Sequence, residues 1–370
     1  MPPLTLLIKP ASGLCNMRCS YCFYADVTKS REVHSYGFMG GETLEQLVRR
    51  AFEYAGRSPV TFAFQGGEPT LVGLDFYRRL LELQRRHNTA GAEVQNSIQT
   101  NGLTVDSEWA ELFAENKILV GLSIDGTKAI HDANRLDAEG RGTYTRIKKA
   151  AAILEAAGAE FNILCVVTSA LARHGAKVFD ALVSAGFRYL QFIQCIDGFG
   201  SPPTPYSLSA ERWGEFLCVI FDRYYEHIRR GDYVSVRPLD NFMELAAGLP
   251  PSCCGYTGRC DLCLVVESDG GVYPCDFYVL DRYRMGNICD MSISELRETE
   301  PARRFVAESE PVDPACAKCE WFALCRGGCR RHREPQSGGT LTRSKFCAGN
   351  KRFFEYAYPR MRELLRYIRI

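Results

Sequence analysis

Three cysteines, Cys15, Cys19 and Cys22, share one short loop with the spacing Cys-x3-Cys-x2-Cys. Soft thiolates set this closely suit an iron–sulfur cluster. Three of them leave one iron of a four-iron cluster without a protein ligand. An iron with an open position can bind and activate a small molecule. A zinc site completed by a distant histidine is the alternative use of the same thiolates. Tyr21 lies within the run, and Phe23 and Tyr24 follow it, so aromatic surface stands beside the open position.

Two further loops carry groups that could hold such a molecule. Gln65-Gly66-Gly67-Glu68-Pro69 directly follows an apolar run, Val60–Phe64. Its two glycines allow close backbone approach, and exposed carbonyls there could accept an ammonium group. The same pair would also serve a plain turn. The segment Gly121-Leu122-Ser123-Ile124-Asp125-Gly126 points Ser123 and Asp125 alternately, towards hydroxyl or carboxylate groups. His131 and Arg135 follow at helical i, i+4 spacing. A guanidinium suits a carboxylate, which makes Arg135 the anion partner. His131 reads as a solvated or capping residue. Asp276, beside Cys275, is a carboxylate held next to a candidate ligand; it either accepts a proton from a substrate or caps the next turn.

Seventeen cysteines in 370 residues are the anomaly of the composition. Besides the first three, eleven crowd the stretch from Cys253 to Cys347. An odd total in a long chain with no charged-then-apolar start argues for metal ligands in a reducing, cytoplasmic setting rather than for disulfides. The formal charge of +1 gives no field for gathering nucleic acid. No apolar run approaches the ~20 residues that span a bilayer, so no membrane role is expected.

The elements that must position these residues alternate. Strand-like runs at Leu4–Lys9, Val60–Phe64, Val94–Gln99, Ile118–Ile124, Phe161–Thr168 and Tyr189–Gln194 are separated by helical stretches at 42–56, 73–88, 106–116, 143–157 and 173–185. Such alternation predicts an α/β fold with a parallel sheet and right-handed crossovers. Six units fit a partial (β/α)6 barrel; a doubly wound sheet is the alternative. Either architecture gathers its loops at the carboxyl ends of the strands, and the cysteine triad lies on the first of them. Residues 196–208 are rich in glycine and proline and read as a connection. Helices follow at 209–230 and 240–248. Beyond them comes a small cysteine-rich domain with one hairpin, Leu264–Ser268 and Val272–Pro274 around Asp269-Gly270-Gly271. So loop-rich a stretch gains cohesion from metal clusters. The expected division is 1–235, 236–348 and a C-terminal helix, 349–370, with a basic face from Arg360, Arg362, Arg366 and Arg369.

Together, the triad, the Gly-Gly-Glu-Pro loop and the Ser123/Arg135 pair resemble the radical S-adenosylmethionine (SAM) enzymes. The resemblance covers roughly the first 195 residues. It implies a 4Fe–4S cluster on Cys15, Cys19 and Cys22 whose free iron binds the SAM amine and carboxylate. It also implies cofactor contacts from Tyr21, Tyr24, Gln65, Gly66, Gly67, Glu68, Ser123, Asp125 and Arg135. The C-terminal spacing is similar to the twin-cluster SPASM extension of these enzymes. That pattern implies one auxiliary 4Fe–4S cluster on Cys254, Cys260, Cys275 and Cys329 and another on Cys316, Cys319, Cys325 and Cys347. Cys253 is the rival of Cys254. Cys165, Cys195, Cys218, Cys253, Cys263 and Cys289 are left over as buried small apolar side chains.

The runs Met1–Leu4, Lys9–Ser12, Cys22–Tyr24, Phe64–Leu71, Gln99–Gly102 and Tyr273–Tyr278 narrow the resemblance to the anaerobic sulfatase-maturating enzymes. This implies oxidation of a Cys or Ser side chain in a sulfatase precursor to 3-oxoalanine (formylglycine). It implies Asp276 as base, Tyr24 lining the site, auxiliary clusters as electron acceptors, and an external donor such as flavodoxin or ferredoxin. Another SPASM peptide modifier that forms thioether or carbon–carbon crosslinks, or a non-catalytic zinc or electron-transfer scaffold, are the alternatives.

Overall fold

The computed structural model describes residues 3–334 and 341–367. Met1 and Pro2 of the family-like start, and Arg369 of the basic tail, lie outside them. The chain divides into two compact units: Met1–Ser123 with Arg135–Phe161 and Asp261–Val306, and Ile124–Asn134 with Asn162–Cys260 and Ala307–Ile370.

The first unit carries β1 (Leu4–Lys9), β2 (Val60–Phe64), β3 (Val94–Thr100) and β4 (Leu119–Ser123) as parallel neighbours. Leu4, Leu6 and Ile8 of β1 are buried, and so are Val60, Phe62 and Phe64 of β2. The helix Gly41–Ala55 lays Leu44, Leu47, Val48, Ala51, Phe52 and Ala55 inward, the three- and four-residue spacing of one helical face. On the other side of β1 the sheet gains β8 (Leu264–Glu267), parallel to β1, with Lys9 opposite Glu267. The antiparallel β9 (Gly271–Tyr273) and β10 (Gly286–Asn287) follow. The hairpin of the cysteine-rich stretch is thus anchored on the sheet edge beside the first strand.

The second unit carries β5 (Phe161–Val167) from Asn162 onward, with β6 (Tyr189–Gln194) and β7 (Ser235–Val236) parallel to it in turn. Its longest helices, Ala210–Arg229 and Cys347–Leu364, pack backbone to backbone at Gly214 and Gly349. A side chain on Gly349 would stand 2.1 Å from the Ala210 carbonyl oxygen. Trp213 donates to Asn350 across the same contact at 3.0 Å.

The first six strands fall on the expected ranges to within one residue. The tail helix starts earlier than expected, at Cys347, and ends at Leu364. Unforeseen is the short helix Phe23–Lys29, which begins on the residue after Cys22 and buries Tyr24 and Val27. No helix among the described residues is long and apolar enough to cross a membrane.

Candidate active site

The cysteine triad sits where β1 ends. Its loop is held from two sides. Arg18 N–H donates to the Leu136 carbonyl at 2.8 Å, and Met17 bridges Asp137. Asp137, with its carboxylate nearly buried, is locked by Arg141 Nε at 3.0 Å and Arg146 at 2.5 Å, and these donors hold it well below the usual carboxylate range against the cost of burial. From the other side, Gly67 N–H donates to Ser12 O at 2.9 Å and Glu68 N–H to Leu14 O at 2.8 Å. Cys15 is exposed, Cys19 and Cys22 partly so. The Cys15 thiol is pushed up to about 12 by burial of its surroundings, with Glu68, Cys19 and Cys22 adding to the shift. A thiol so raised keeps its proton until a cationic centre displaces it, so binding at Cys15 would release a proton.

Glu68 faces inward. Its carboxylate accepts from Thr70 N at 3.1 Å, Thr70 Oγ1 at 2.6 Å, Thr100 Oγ1 at 2.7 Å and Asn101 N at 2.7 Å. Burial raises its pKa, and these donors oppose the rise. The side chain thereby ties the second loop to the end of β3. Asn101 in turn reaches Asn16 at 2.7 Å, next to Cys15.

Asp276 lies beyond the hairpin, and two side chains from strand ends converge on it. Gln65, following β2, donates from Nε2 to Oδ2 at 2.6 Å. Lys9, the last residue of β1, places Nζ 2.6 Å from Oδ1. The ammonium approaches at ion-pair distance without hydrogen-bond alignment, so Oδ1 is buried with no hydrogen-bond partner. Lys9 is itself buried and sits over the ring of Tyr24, 3.8 Å from its centroid. The Tyr24 hydroxyl donates to Glu267, whose carboxylate also takes Arg31 at 2.7 Å. Phe23 and Phe277 meet edge to face at 5.0 Å, joining the residues that follow Cys22 and Asp276. Lys9, Arg31 and Glu267 escaped the sequence reading, because a charge at a strand end normally reaches water. The one available signal was Lys9 ending an otherwise apolar strand.

Ser123 accepts from Gln99 at 3.1 Å. Arg135 is buried, its guanidinium 5.5 Å from the centre of the Tyr21 ring. In the second unit, Asp125 accepts from Val166 N–H at 3.0 Å and so braces β5. His131 is not solvated: it is fully buried, and its Nδ1 accepts the Asp125 backbone N–H at 3.2 Å. The turn at Asp125 needs that acceptor, which spacing alone did not reveal.

Cys316, Cys319, Cys325 and Cys347 line a single cavity together with Trp321, Phe354 and Arg343. Burial pushes the Cys325 thiol up to about 11. Among the described residues no three acidic, histidine or cysteine side chains stand close enough to chelate one ion. What the cavity offers is four soft donors around a shared space, the donor set an iron–sulfur cluster requires. Elsewhere in this unit, Cys329 is pushed up to about 11 by burial, with Cys260 and Cys253 adding to the shift. Of the leftover cysteines, Cys165 and Cys195 are buried as expected, whereas Cys218, Cys253, Cys263 and Cys289 are only partly so.

Comparison with known proteins agrees with this geometry. The radical SAM superfamily model matches residues 10–171, and the iron-sulfur cluster-binding (SPASM) domain matches residues 254–320. A cysteine-type anaerobic sulfatase-maturating enzyme of Clostridium perfringens is 48% identical over 98% of this chain and 98% of its own. The chain belongs to the anaerobic sulfatase-maturating enzymes. A serine-type member from Klebsiella aerogenes is 32% identical over 95% of this chain and 84% of its own. The structure described as native anSMEcpe with bound AdoMet and Cp18Cys peptide superposes with a TM-score of 0.95 at 46% identity, covering 100% of both chains. Family membership decides for the sulfatase reading over the crosslinking and scaffold alternatives.

One ligand assignment within this family pattern can be tested directly. Cys254 is exposed and Cys253 partly buried, and Cys253 is among the groups that raise the Cys329 thiol. The Cys253 thiol is lowered to about 6, chiefly by a hydrogen bond with Cys254. Whichever of the two ligates, its alanine variant loses about four irons per chain and the other keeps them. Iron and sulfide analysis of the two variants reads the answer, and undiminished iron in both would exclude either as a required ligand.

Proposed function

We propose that this protein oxidises a cysteine side chain of a sulfatase precursor to formylglycine. Cys15, Cys19 and Cys22 would hold a 4Fe–4S cluster and, beside it, SAM. The Gly66–Gly67 backbone, Tyr21, Tyr24, Gln65, Glu68, Ser123, Asp125 and Arg135 would form the surroundings of the cofactor. Cys254, Cys260, Cys275 and Cys329, and separately Cys316, Cys319, Cys325 and Cys347, would hold two auxiliary clusters. When bound, SAM on the first cluster supplies hydrogen-atom abstraction, and the auxiliary clusters supply a sink for one electron.

The observation that carries the reading is the Asp276 carboxylate, whose Oδ1 meets the Lys9 ammonium at 2.6 Å as an ion pair and accepts no hydrogen bond. A lone pair left on it would accept a hydrogen bond from a substrate thiol. Gln65 fixes the other oxygen, so the acceptor is aimed. Asp276 then takes the thiol proton as a hydrogen atom leaves Cβ and one electron departs. The thioaldehyde so formed reacts with water to give the aldehyde and hydrogen sulfide.

Three relatives named cysteine-type are 44–48% identical to this chain, and three named serine-type are 27–32% identical, which supports cysteine as the substrate residue. An external low-potential donor such as flavodoxin or ferredoxin would reduce the first cluster. Clusters on thiolates also call for a reducing compartment, the cytoplasm.

The test incubates reduced, reconstituted protein and SAM with sulfatase-motif peptides carrying Cys or Ser, followed by mass spectrometry. The Cys peptide is converted to the aldehyde and outpaces the Ser peptide. No conversion of either peptide, alongside normal 5′-deoxyadenosine formation, removes the sulfatase assignment. Iron analysis of the same sample gives about twelve irons per chain if three clusters are present.

A further inference from the structure

Lys9 and Glu267 are register partners at the carboxyl ends of the adjacent parallel strands β1 and β8. Both are fully buried. Opposite charges so placed would be natural partners for one another, yet each makes its ion pair elsewhere. Glu267 takes Arg31 and the Tyr24 hydroxyl. Lys9 takes Asp276 and lies over the face of the Tyr24 ring. Arg31 thereby supplies the positive charge that Glu267 needs, and the lysine is left to the carboxylate at the site. A buried ion left without its partner is strongly destabilising, so this sorting of two pairs is enforced by burial.

We propose that Lys9 is a positioning residue for Asp276. It is clamped between the Tyr24 ring and Oδ1, and with Gln65 on Oδ2 it fixes the orientation of the carboxylate. A cation over an aromatic ring, desolvated as here, has a defined place rather than the freedom of a surface lysine. The Tyr24 hydroxyl is turned to Glu267, so the ring contributes its face. The Arg31–Glu267 pair holds that ring through its hydroxyl, with the Arg31 guanidinium 5.8 Å from the ring centre. This inference rests on the reading of Asp276 as the base.

The experiment compares Lys9→Met, Lys9→Arg, Asp276→Asn and the Lys9→Met/Asp276→Asn double variant as reconstituted holoenzymes. Iron content, peptide affinity by fluorescence anisotropy, 5′-deoxyadenosine and aldehyde are measured for each. In Lys9→Met a misaimed carboxylate lowers aldehyde formation by about 10²-fold, and 5′-deoxyadenosine accumulates without matching product. Iron and peptide affinity stay near those of the unmodified protein. Lys9→Arg recovers part of the coupling. The double variant is no worse than Asp276→Asn alone, because both changes act on one group. Should Lys9→Met fail to retain iron, Lys9→Gln, which removes the charge but keeps a donor, is read in its place with the same expectations.

Multiplicative loss in the double variant, or full coupling in Lys9→Met while Asp276→Asn is impaired, overturns the role of Lys9 and leaves the base in place. Full activity in Asp276→Asn overturns the base itself. A crystal structure of the Lys9→Met holoenzyme adds a readout independent of turnover: Asp276 swings off its present direction. An unmoved Asp276 would count against positioning by Lys9.

Discussion

Replacing Asp276 with asparagine lowers aldehyde formation by about 10²–10⁴-fold, the usual contribution of a positioned general base, while iron content and 5′-deoxyadenosine formation persist. Asparagine keeps the size and planarity of the carboxylate, so Gln65 retains an acceptor. What goes is the ability to take a proton and the negative charge opposite Lys9. The partial reactions separate these consequences from general damage. In the proposed reaction hydrogen abstraction would depend on the triad loop, which makes its own contacts with Leu136, Asp137 and the Gly67 loop. The proton step would depend on Asp276. The variant therefore consumes SAM without matching product, and tight coupling of the two in Asp276→Asn would sink the assignment. Failure of both reactions, with iron lost, would instead make Asp276 a structural residue of the neighbouring Cys275 segment.

The strands were legible because they are short, mostly apolar runs between helical stretches; in Val60–Phe64 and Phe161–Val167 alternate residues are buried. The triad was legible because three soft thiolate donors share one short loop, which the structure places after β1. The Asp276 surroundings were not. Lys9, Gln65, Tyr24, Glu267 and Arg31 come from four separated segments, and only the parallel pairing of β8 with β1 brings Glu267 beside Lys9. Gln65 could be placed at the end of β2, but its amide reaches Asp276, 211 residues away. Glu68 shows the same limit. Its place in the Gly-Gly-Glu-Pro loop invited a ligand contact, and spacing did not reveal that four protein donors from its own loop and the end of β3 hold the carboxylate. Sequence spacing identifies which strand end bears a polar group. It does not say whether that group turns to the ligand or to the next loop, since that depends on tertiary partners.

Gly67→Ala removes SAM cleavage itself, a deeper lesion than Asp276→Asn. An added Cβ at residue 67 would stand 2.0 Å from the Leu14 carbonyl oxygen and 2.7 Å from its carbon. The obstacle is backbone, which cannot swing aside as a side-chain tip would. The two hydrogen bonds that flank the contact, Gly67 N to Ser12 O and Glu68 N to Leu14 O, hold the loops at this separation. Relief requires them to part, which costs about 1–3 kcal/mol for overpacking and about 1 kcal/mol more for each hydrogen bond lost. Leu14 adjoins Cys15, so the shift is delivered to the first thiolate of the triad. The protein then loses about four irons and forms no 5′-deoxyadenosine, while the cysteines from 316 to 347 keep theirs. Gly40→Ala is the matched control: its φ is −75° and an added Cβ meets nothing within 4 Å, so iron and cleavage remain unchanged. Wild-type iron content and cleavage in Gly67→Ala would mean that the loop carrying the triad has room to move, and the tight seating of Cys15 would not be what the cluster needs.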